Sequence, residues 1–345
     1  MPDLTSLELE QLKIPTEWFP SNEAPTPPLF RSVSKLTSLR LARTPLYPAL
    51  SNIASLVKLE LAHYTIPFQK FIGFLGSNFS LETVVLNLGF AEDSVLTAPD
   101  RKTPLPRLRR LAFTCDKAID ARGLLSCLSF PRGVNIEVHG SQRNPCGDLA
   151  SFLPHPPTPI QDLLAPITSI KSWHFPKRLH LFGNGSFYFQ CNGRSQEYFR
   201  EFDLFATGAV RQIHLRLDCA LGMVGPNDSI SRPFERLPAL EALVISGSRP
   251  ELGPLTALAK EPALCPSLKT IALLDFVVTP QAFGELESVL AERTRSTAAR
   301  VHRVLIANKD RDMPEQFRSV SRLRKLVPHV DTVMGDEHYE LPDLL

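Results

Sequence analysis

The sequence predicts an α/β fold with a curved parallel sheet on its concave side and helices and loops on its convex side. Three observations predict it. One apolar spacing recurs along nearly the whole chain, several of the intervening stretches carry helical stripes, and 31 prolines against 17 glycines supply stiff loops with fixed entry angles.

The spacing is L-x-x-L-x-L. It is met at Leu4, Leu7 and Leu9, then at Leu36, Leu39 and Leu41, and at Leu56, Leu59 and Leu61. Leu81, Val84 and Leu86 follow, then Leu108, Leu111 and Phe113. Later copies are Val210, Ile213, Leu215; Leu240, Leu243, Ile245; Leu268, Ile271, Leu273; and Val301, Val304, Ile306. Outside the centre the copies start roughly 20 to 34 residues apart, near or above the period of leucine-rich repeats. The last two apolar positions alternate with a polar one, which is strand periodicity with one face buried. The first position sits on the bend that enters the strand. A single unit cannot bury its apolar face alone, so the expected architecture is an irregular leucine-rich-repeat solenoid. Parallel strands need crossovers, and the material between copies provides them.

Helical crossovers are expected in "IPFQKFIGFLGSNFS", with Phe68, Phe71, Ile72 and Leu75 on one stripe. In "VTPQAFGELESVLAERT", Thr279 is placed to cap, Pro280 to open the helix, and Phe283, Leu286, Val289 and Leu290 to line a face. "RSQEYFREFDLFATG" places Tyr198, Phe199, Phe202 and Phe205 similarly, and these aromatic stripes read as core. The centre is less regular. "RGVNIEVHG" alternates Val134, Ile136 and Val138 without a leading leucine, residues 152–170 are proline-dense, and "LHLFGNGSFYFQCNGRS" has the strand–turn–strand pattern of a hairpin. The expected organisation is therefore N-terminal repeats over 1–139, an irregular insertion with a hairpin over 140–200, and C-terminal repeats with basic terminal helices over 201–345.

Chemistry is sparse. The six cysteines include no C-x-x-C pair, and no H-E-x-x-H, G-x-S-x-G or G-x-x-x-x-G-K-[ST] motif occurs. "GFLGSN" lacks the lysine of a phosphate loop, "FGNGS" fits turn geometry, and His174 and His180 have no carboxylate at metal-motif spacing. The reading is therefore no catalytic residue, no metal and no cofactor. The sequons at Asn78, Asn184 and Asn227 read as chance matches, because "MPDLTSLELE" has no secretory signal pattern. No apolar run approaches the roughly 18 residues of a membrane span, so an intracellular protein, cytoplasmic or nuclear, is expected.

Two surfaces are candidates for binding. The residue between the last two anchors of each copy points outward: Glu8, Arg40, Glu60, Val85, Ala112, His214, Val244 and Ala272. Alternating charges among the early ones are expected to neutralise each other across strands. The later ones, Val85, Ala112, His214, Val244 and Ala272, form the candidate partner site, either exposed to a protein ligand or covered by an insertion. Separately, residues 291–325 carry ten basic side chains against four acids (Glu292, Asp310, Asp312 and Glu315). The basic ones are Arg293, Arg295, Arg300, Arg303, Lys309, Arg311, Arg318, Arg322, Arg324 and Lys325. They read either as a solvated helical face or as a dock for an acidic partner or nucleic acid. With Phe317 alone interleaved, the run is poor in stacking platforms, so a nucleic-acid partner is disfavoured.

The chain resembles the leucine-rich-repeat region of F-box-like proteins of mushroom-forming fungi. The resemblance rests on "LTSLRLARTPLYPALSNIASLVKLELAHYTI", on "VNIEVHG" before a proline-rich break, and on the tail from "PSLKTIALLDFV" through "HRVLIANKDRDMP" to "LRKLVPHVDTVMGDE". It implies a substrate-recognition arm for a cullin-type ubiquitin ligase. No helical F-box module stands ahead of Leu4, so docking on the ligase adaptor would need one supplied upstream. An upstream segment capping the first copy is expected, the alternative cap being residues 14–30 with Trp18, Phe19 and Phe30. The function expected is a non-catalytic protein-interaction scaffold; the alternative is an enzyme or nucleic-acid binder using region 291–325.

Overall fold

A computed structural model of the chain describes residues 5–10, 35–42, 53–90, 102–140, 149–155, 158–173, 177–191, 202, 204–216, 233–247, 253–276, 280–296, 300–308 and 320–334. In chain order the elements are β1 (Ser6–Glu10), β2 (Ser38–Ala42), β3 (Lys58–Ile66), α1 (Phe68–Ser77), β4 (Thr83–Phe90), β5 (Thr103–Pro104) and β6 (Arg110–Cys115). Next come α2 (Ala118–Cys127), β7 (Leu128–Ser129), β8 (Asn135–Gly140), α3 (Leu149–Phe152), α4 (Thr158–Leu164), β9 (Ser169–Trp173), β10 (Lys177–Phe182) and β11 (Ser186–Cys191). The last are β12 (Gln212–Arg216), β13 (Ala242–Ser246), α5 (Gly253–Lys260), β14 (Thr270–Phe276), α6 (Pro280–Arg295), β15 (Arg303–Asn308) and β16 (His329–Met334).

The chain divides into two compact units. Unit 1 is Met1–Leu164 with Asn184–Asn192, and unit 2 is Ala165–Gly183 with Gly193–Leu345. In unit 1 the strands run in the order β1, β2, β3, β4, β6, β8, β11, every pair parallel. In unit 2 they run β10, β9, β12, β13, β14, β15, β16, parallel except for the antiparallel pair β9 and β10. Each unit is thus an α/β assembly on a largely parallel sheet, as the repeat spacing implies.

The register explains the spacing. Leu39, Leu59, Val84, Leu111 and Ile136 are successive partners on one face, as are Ile213, Leu243, Ile271 and Val304 in unit 2. None of these nine is accessible to solvent. In six of the copies the leading anchor lies on the predicted bend. Leu56, Leu81, Leu108, Val210, Leu240 and Leu268 each donate their N–H to the carbonyl three residues back, at 2.9 to 3.2 Å. Those carbonyls belong to Ile53, Asn78, Leu105, Thr207, Leu237 and Cys265, which are themselves buried. The true repeat therefore has a fourth inward position three residues before the first leucine. Neighbouring copies are also tied by shared carbonyls: Thr37, Val57, Glu82, Arg211, Glu241 and Lys269 each accept from two consecutive N–H groups of the next copy.

The fourth position is hard to read from sequence because it alternates between apolar and polar types. Where it is polar, it bridges neighbouring turns. Asn78 accepts from the Ile53 N–H at 3.1 Å and donates to the Phe74 carbonyl at 2.7 Å. The Thr207 hydroxyl donates to the Arg236 carbonyl at 3.1 Å, and the Cys265 thiol to that of Phe234 at 3.5 Å. Asn78 is wholly buried, so its sequon offers no acceptor in the folded chain.

The predicted crossovers form as α1 and α6, with Phe68, Phe71, Ile72 and Leu75, and Phe283, Leu286, Val289 and Leu290, all buried. Phe202 and Phe205 are buried too, while Tyr198, Phe199, the cap Thr279, Leu4 and residues 14–30 lie outside the described residues. The stretch 140–200 differs from an insertion set apart from the repeats. Its strands join the sheets: β11 extends unit 1 beside β8, and β9 and β10 belong to unit 2. The two strands read in "LHLFGNGSFYFQCNGRS" form as β10 and β11, and within unit 2 β10 also pairs antiparallel with β9. Gly185, in the Gly-Asn-Gly turn, is required by close approach: a Cβ there would lie 2.4 Å from the Val134 carbonyl oxygen. Two strands carry bulges, between Ala62 and Tyr64 and between Leu273 and Phe276. They lodge His63 (φ 59°) and Asp275 (φ 56°) in left-handed backbone, which costs each about 1 kcal/mol.

Candidate functional site

The strand periodicity that buries one face of unit 1 turns the alternate residues outward in register. The central row is Glu8, Arg40, Glu60, Val85, Ala112, Glu137 and Tyr188. Its charges pair as expected from their alternation. Arg40 Nη1 lies 2.9 Å from Glu8 Oε1 and its Nε 3.1 Å from Glu60 Oε1. Further along, Arg110 grips Glu137 with both arms, Nε to Oε1 at 2.9 Å and Nη2 to Oε2 at 3.1 Å. His139 Nε2 lies 3.8 Å from Glu137 Oε2, and its ring meets that of Tyr188 with centroids 5.4 Å apart. The Tyr188 hydroxyl donates to Gln190 Oε1 at 2.7 Å. Such exposed pairs contribute only about 0–1 kcal/mol each, so they organise a surface more than they stabilise it.

Val85 and Ala112 stand side by side in the middle of this row. Val85 is part-exposed, whereas Ala112 is nearly buried, 5% exposed. The surface thus has a small apolar centre and a charged and aromatic surround. Glu137, His139 and Tyr188 were missed in the sequence because their strands lack the leading leucine; only the alternation in "VNIEVHG" and "SFYFQC" signals them.

The outward face of unit 2 corrects the candidate site. Val244 and Ala272 are wholly buried and, with Leu274 and Leu305, form a second apolar cluster against which Ala307 and Val333 pack. They present no surface to a ligand. Outward positions in β13, β14 and β15 are apolar because that face is core as well, and such strands lose the alternation on which the outward reading relied. His214 is part-buried, and its Nε2 lies 2.7 Å from the Ser246 hydroxyl. Burial, followed by the charges of Lys171 and Arg216, holds its pKa down to about 4 against an opposing pull from Asp275. The ring is neutral at pH 7. The distance is that of a serine–histidine pair, but Ser246 is 2% exposed and closed to a substrate, so the contact is a buried hydrogen bond.

The described thiols are no better as nucleophiles. Burial pushes Cys115 and Cys265 up to about 12, with Asp120 and Asp116 adding to the effect at Cys115, so both stay protonated. Among the described residues no group of three or more His, Cys, Asp or Glu is placed to hold a metal ion, and no helix is long and apolar enough to cross a membrane.

The basic region resolves into separate roles. Arg293 is wholly buried and donates to the carbonyls of Pro262 and Leu264 through Nη1 and of Cys265 through Nη2, at 3.0, 2.7 and 2.9 Å. Arg295 pairs with Glu292, Arg303 Nε with Asp331 at 2.8 Å, and Arg322 Nε with Glu287 at 3.0 Å. Lys309, Arg311 and Arg318 lie outside the described residues. Arg300, Arg324 and Lys325 remain, exposed and without an acidic partner among the described residues. No family model matches the chain, and no curated protein matches it.

Proposed function

We propose that the chain is a non-catalytic protein-binding scaffold, a leucine-rich-repeat solenoid that receives its partner on the outward face of unit 1. The observation that supports this is the in-register row from Glu8 to Tyr188, in which the part-exposed Val85, beside the nearly buried Ala112, is flanked by Arg40, Glu60 and Glu137, with Arg110 paired to Glu137. Interfaces combine an apolar centre with a polar rim in this way, and fixed ion pairs give such a surface a defined charge pattern before the partner arrives. The resemblance to fungal F-box-like proteins adds a use for it, the recognition arm of a ubiquitin ligase when an F-box is supplied upstream.

Quantitative affinity purification with the full chain and its Val85→Arg and Arg110→Glu variants tests the reading. A specific protein should be retained by the native chain and lost by both variants while their melting temperatures hold. Retention by both variants would place the binding surface elsewhere.

A further inference from the structure

Arg300, Arg324 and Lys325 share one location. They line a cavity of about 350 Å³ at the entrance to β15 and β16, together with His302, Leu326 and Pro328. Arg300 and His302 precede β15, and Arg324 and Lys325 follow the helical turn at 320–323. The nearby carboxylates of Glu287, Glu292 and Asp331 are already engaged by Arg322, Arg295 and Arg303. The positive charge at the cavity is therefore a surplus that the described residues do not neutralise, set beside apolar walls.

We propose that this cavity is a docking site for an acidic peptide segment of a partner protein. Carboxylates of the segment meet Arg300, Arg324 and Lys325 in charge-assisted hydrogen bonds, and an apolar side chain beside them packs on Leu326 and Pro328. The cavity is open on one side, and its volume is at the lower end of the range for ligand clefts, about 300–1,000 Å³, enough for a few side chains. A nucleic-acid strand is a poorer occupant. The lining contains no Phe, Tyr or Trp for a base to stack on, and three cations in one hollow do not make a track along a phosphate backbone. The inference goes beyond the scaffold reading and uses a different unit.

The test is fluorescence anisotropy of the full chain with a short labelled peptide of glutamates interspersed with leucines. Controls are the same peptide with glutamine for glutamate, a single-stranded oligonucleotide, and inorganic phosphate as competitor. Binding should weaken with salt, fall about tenfold or more in an Arg324→Gln, Lys325→Gln double variant, and stay unchanged in Arg295→Gln, whose side chain is paired outside the cavity. Arg300→Gln alone should also weaken binding, which keeps the test informative if the double variant melts early. Val85→Arg in unit 1 should leave peptide binding as it was. Equal binding of the glutamine peptide, tighter binding of the oligonucleotide, displacement by phosphate alone, or indifference to the cavity variants would overturn the proposal.

Discussion

Arg293 Nη1 donates to the Leu264 carbonyl at 2.7 Å, from a side chain with no access to solvent. The same guanidinium holds the carbonyls of Pro262 and Cys265, so one side chain of α6 fastens the whole turn that leads into β14. Burial lowers its pKa, yet arginine starts high enough to stay charged. Arg293→Met should lose about 2–4 kcal/mol in urea unfolding, because three carbonyls lose a charged donor. Arg293→Lys should recover less than half, since an ammonium lacks the planar fork. A neutral Met variant would show that the turn forms without it.

Asn78 gives a parallel case with an uncharged group. Asn78→Ala should cost about 1–3 kcal/mol, as the Ile53 N–H loses its acceptor in a dry site. Asn78→Asp should be worse, since a carboxylate would face the Phe74 carbonyl that the amide now serves. Thermal melts of the two variants rank them directly.

The buried His214 makes stability depend on pH with a definite sign. Its folded pKa, about 4, lies below its ordinary value of 6.5. Between those values the unfolded chain binds a proton that the folded chain does not. The stabilisation is therefore complete above about pH 6.5 and is lost as pH falls toward 4, by up to about 3 kcal/mol. His214→Gln, which retains a partner for Ser246, should flatten the melting-temperature profile across this window. An unchanged slope would mean that His214 titrates normally.

Outward valines on the two sheets should respond oppositely. Val244→Lys places an ammonium in the apolar cluster with Ala272 and Leu305 and should cost about 3 kcal/mol or more, or prevent folding. Val85→Lys, on a part-exposed site, should stay within about 0.5 kcal/mol of the native chain. Leu61→Ala, on the inward face of β3, should cost about 2–5 kcal/mol. Chemical denaturation of the three variants checks the assignment of faces.

Much of the fold is legible in the sequence because strand periodicity is a local signal. Leu59 and Leu61, or Leu39 and Leu41, announce their face through the charged residue between them. The turn position three residues earlier is not legible, since Ile53, Asn78, Thr207 and Cys265 share no chemistry, only a place in space. Strand β9 hides for a related reason: Ile167 and Ile170 match the first two anchors, but Ser172 stands where the last apolar residue is expected. The outward site fails at Val244 and Ala272 because one strand's residues do not tell whether its second face meets water or more protein. The basic run misleads for another reason. Charge counts do not separate Arg293, a buried fastener, from Lys325 on an open cavity, and that distinction needs the neighbours that folding brings together.

The second apolar cluster behind β13, β14 and β15 has a bearing on how this chain can change over time. In unit 1, every outward position of the central row except Ala112 keeps contact with solvent, so substitutions there alter what the surface recognises at little expense to folding. At Val244, Ala272 and Leu305 the same nominal positions are buried among apolar neighbours, so a polar replacement there loses its water without gaining a partner. Two stretches that look equivalent as repeats therefore differ in mutational tolerance: one is free to drift toward new ligands, and the other is held by its own interior.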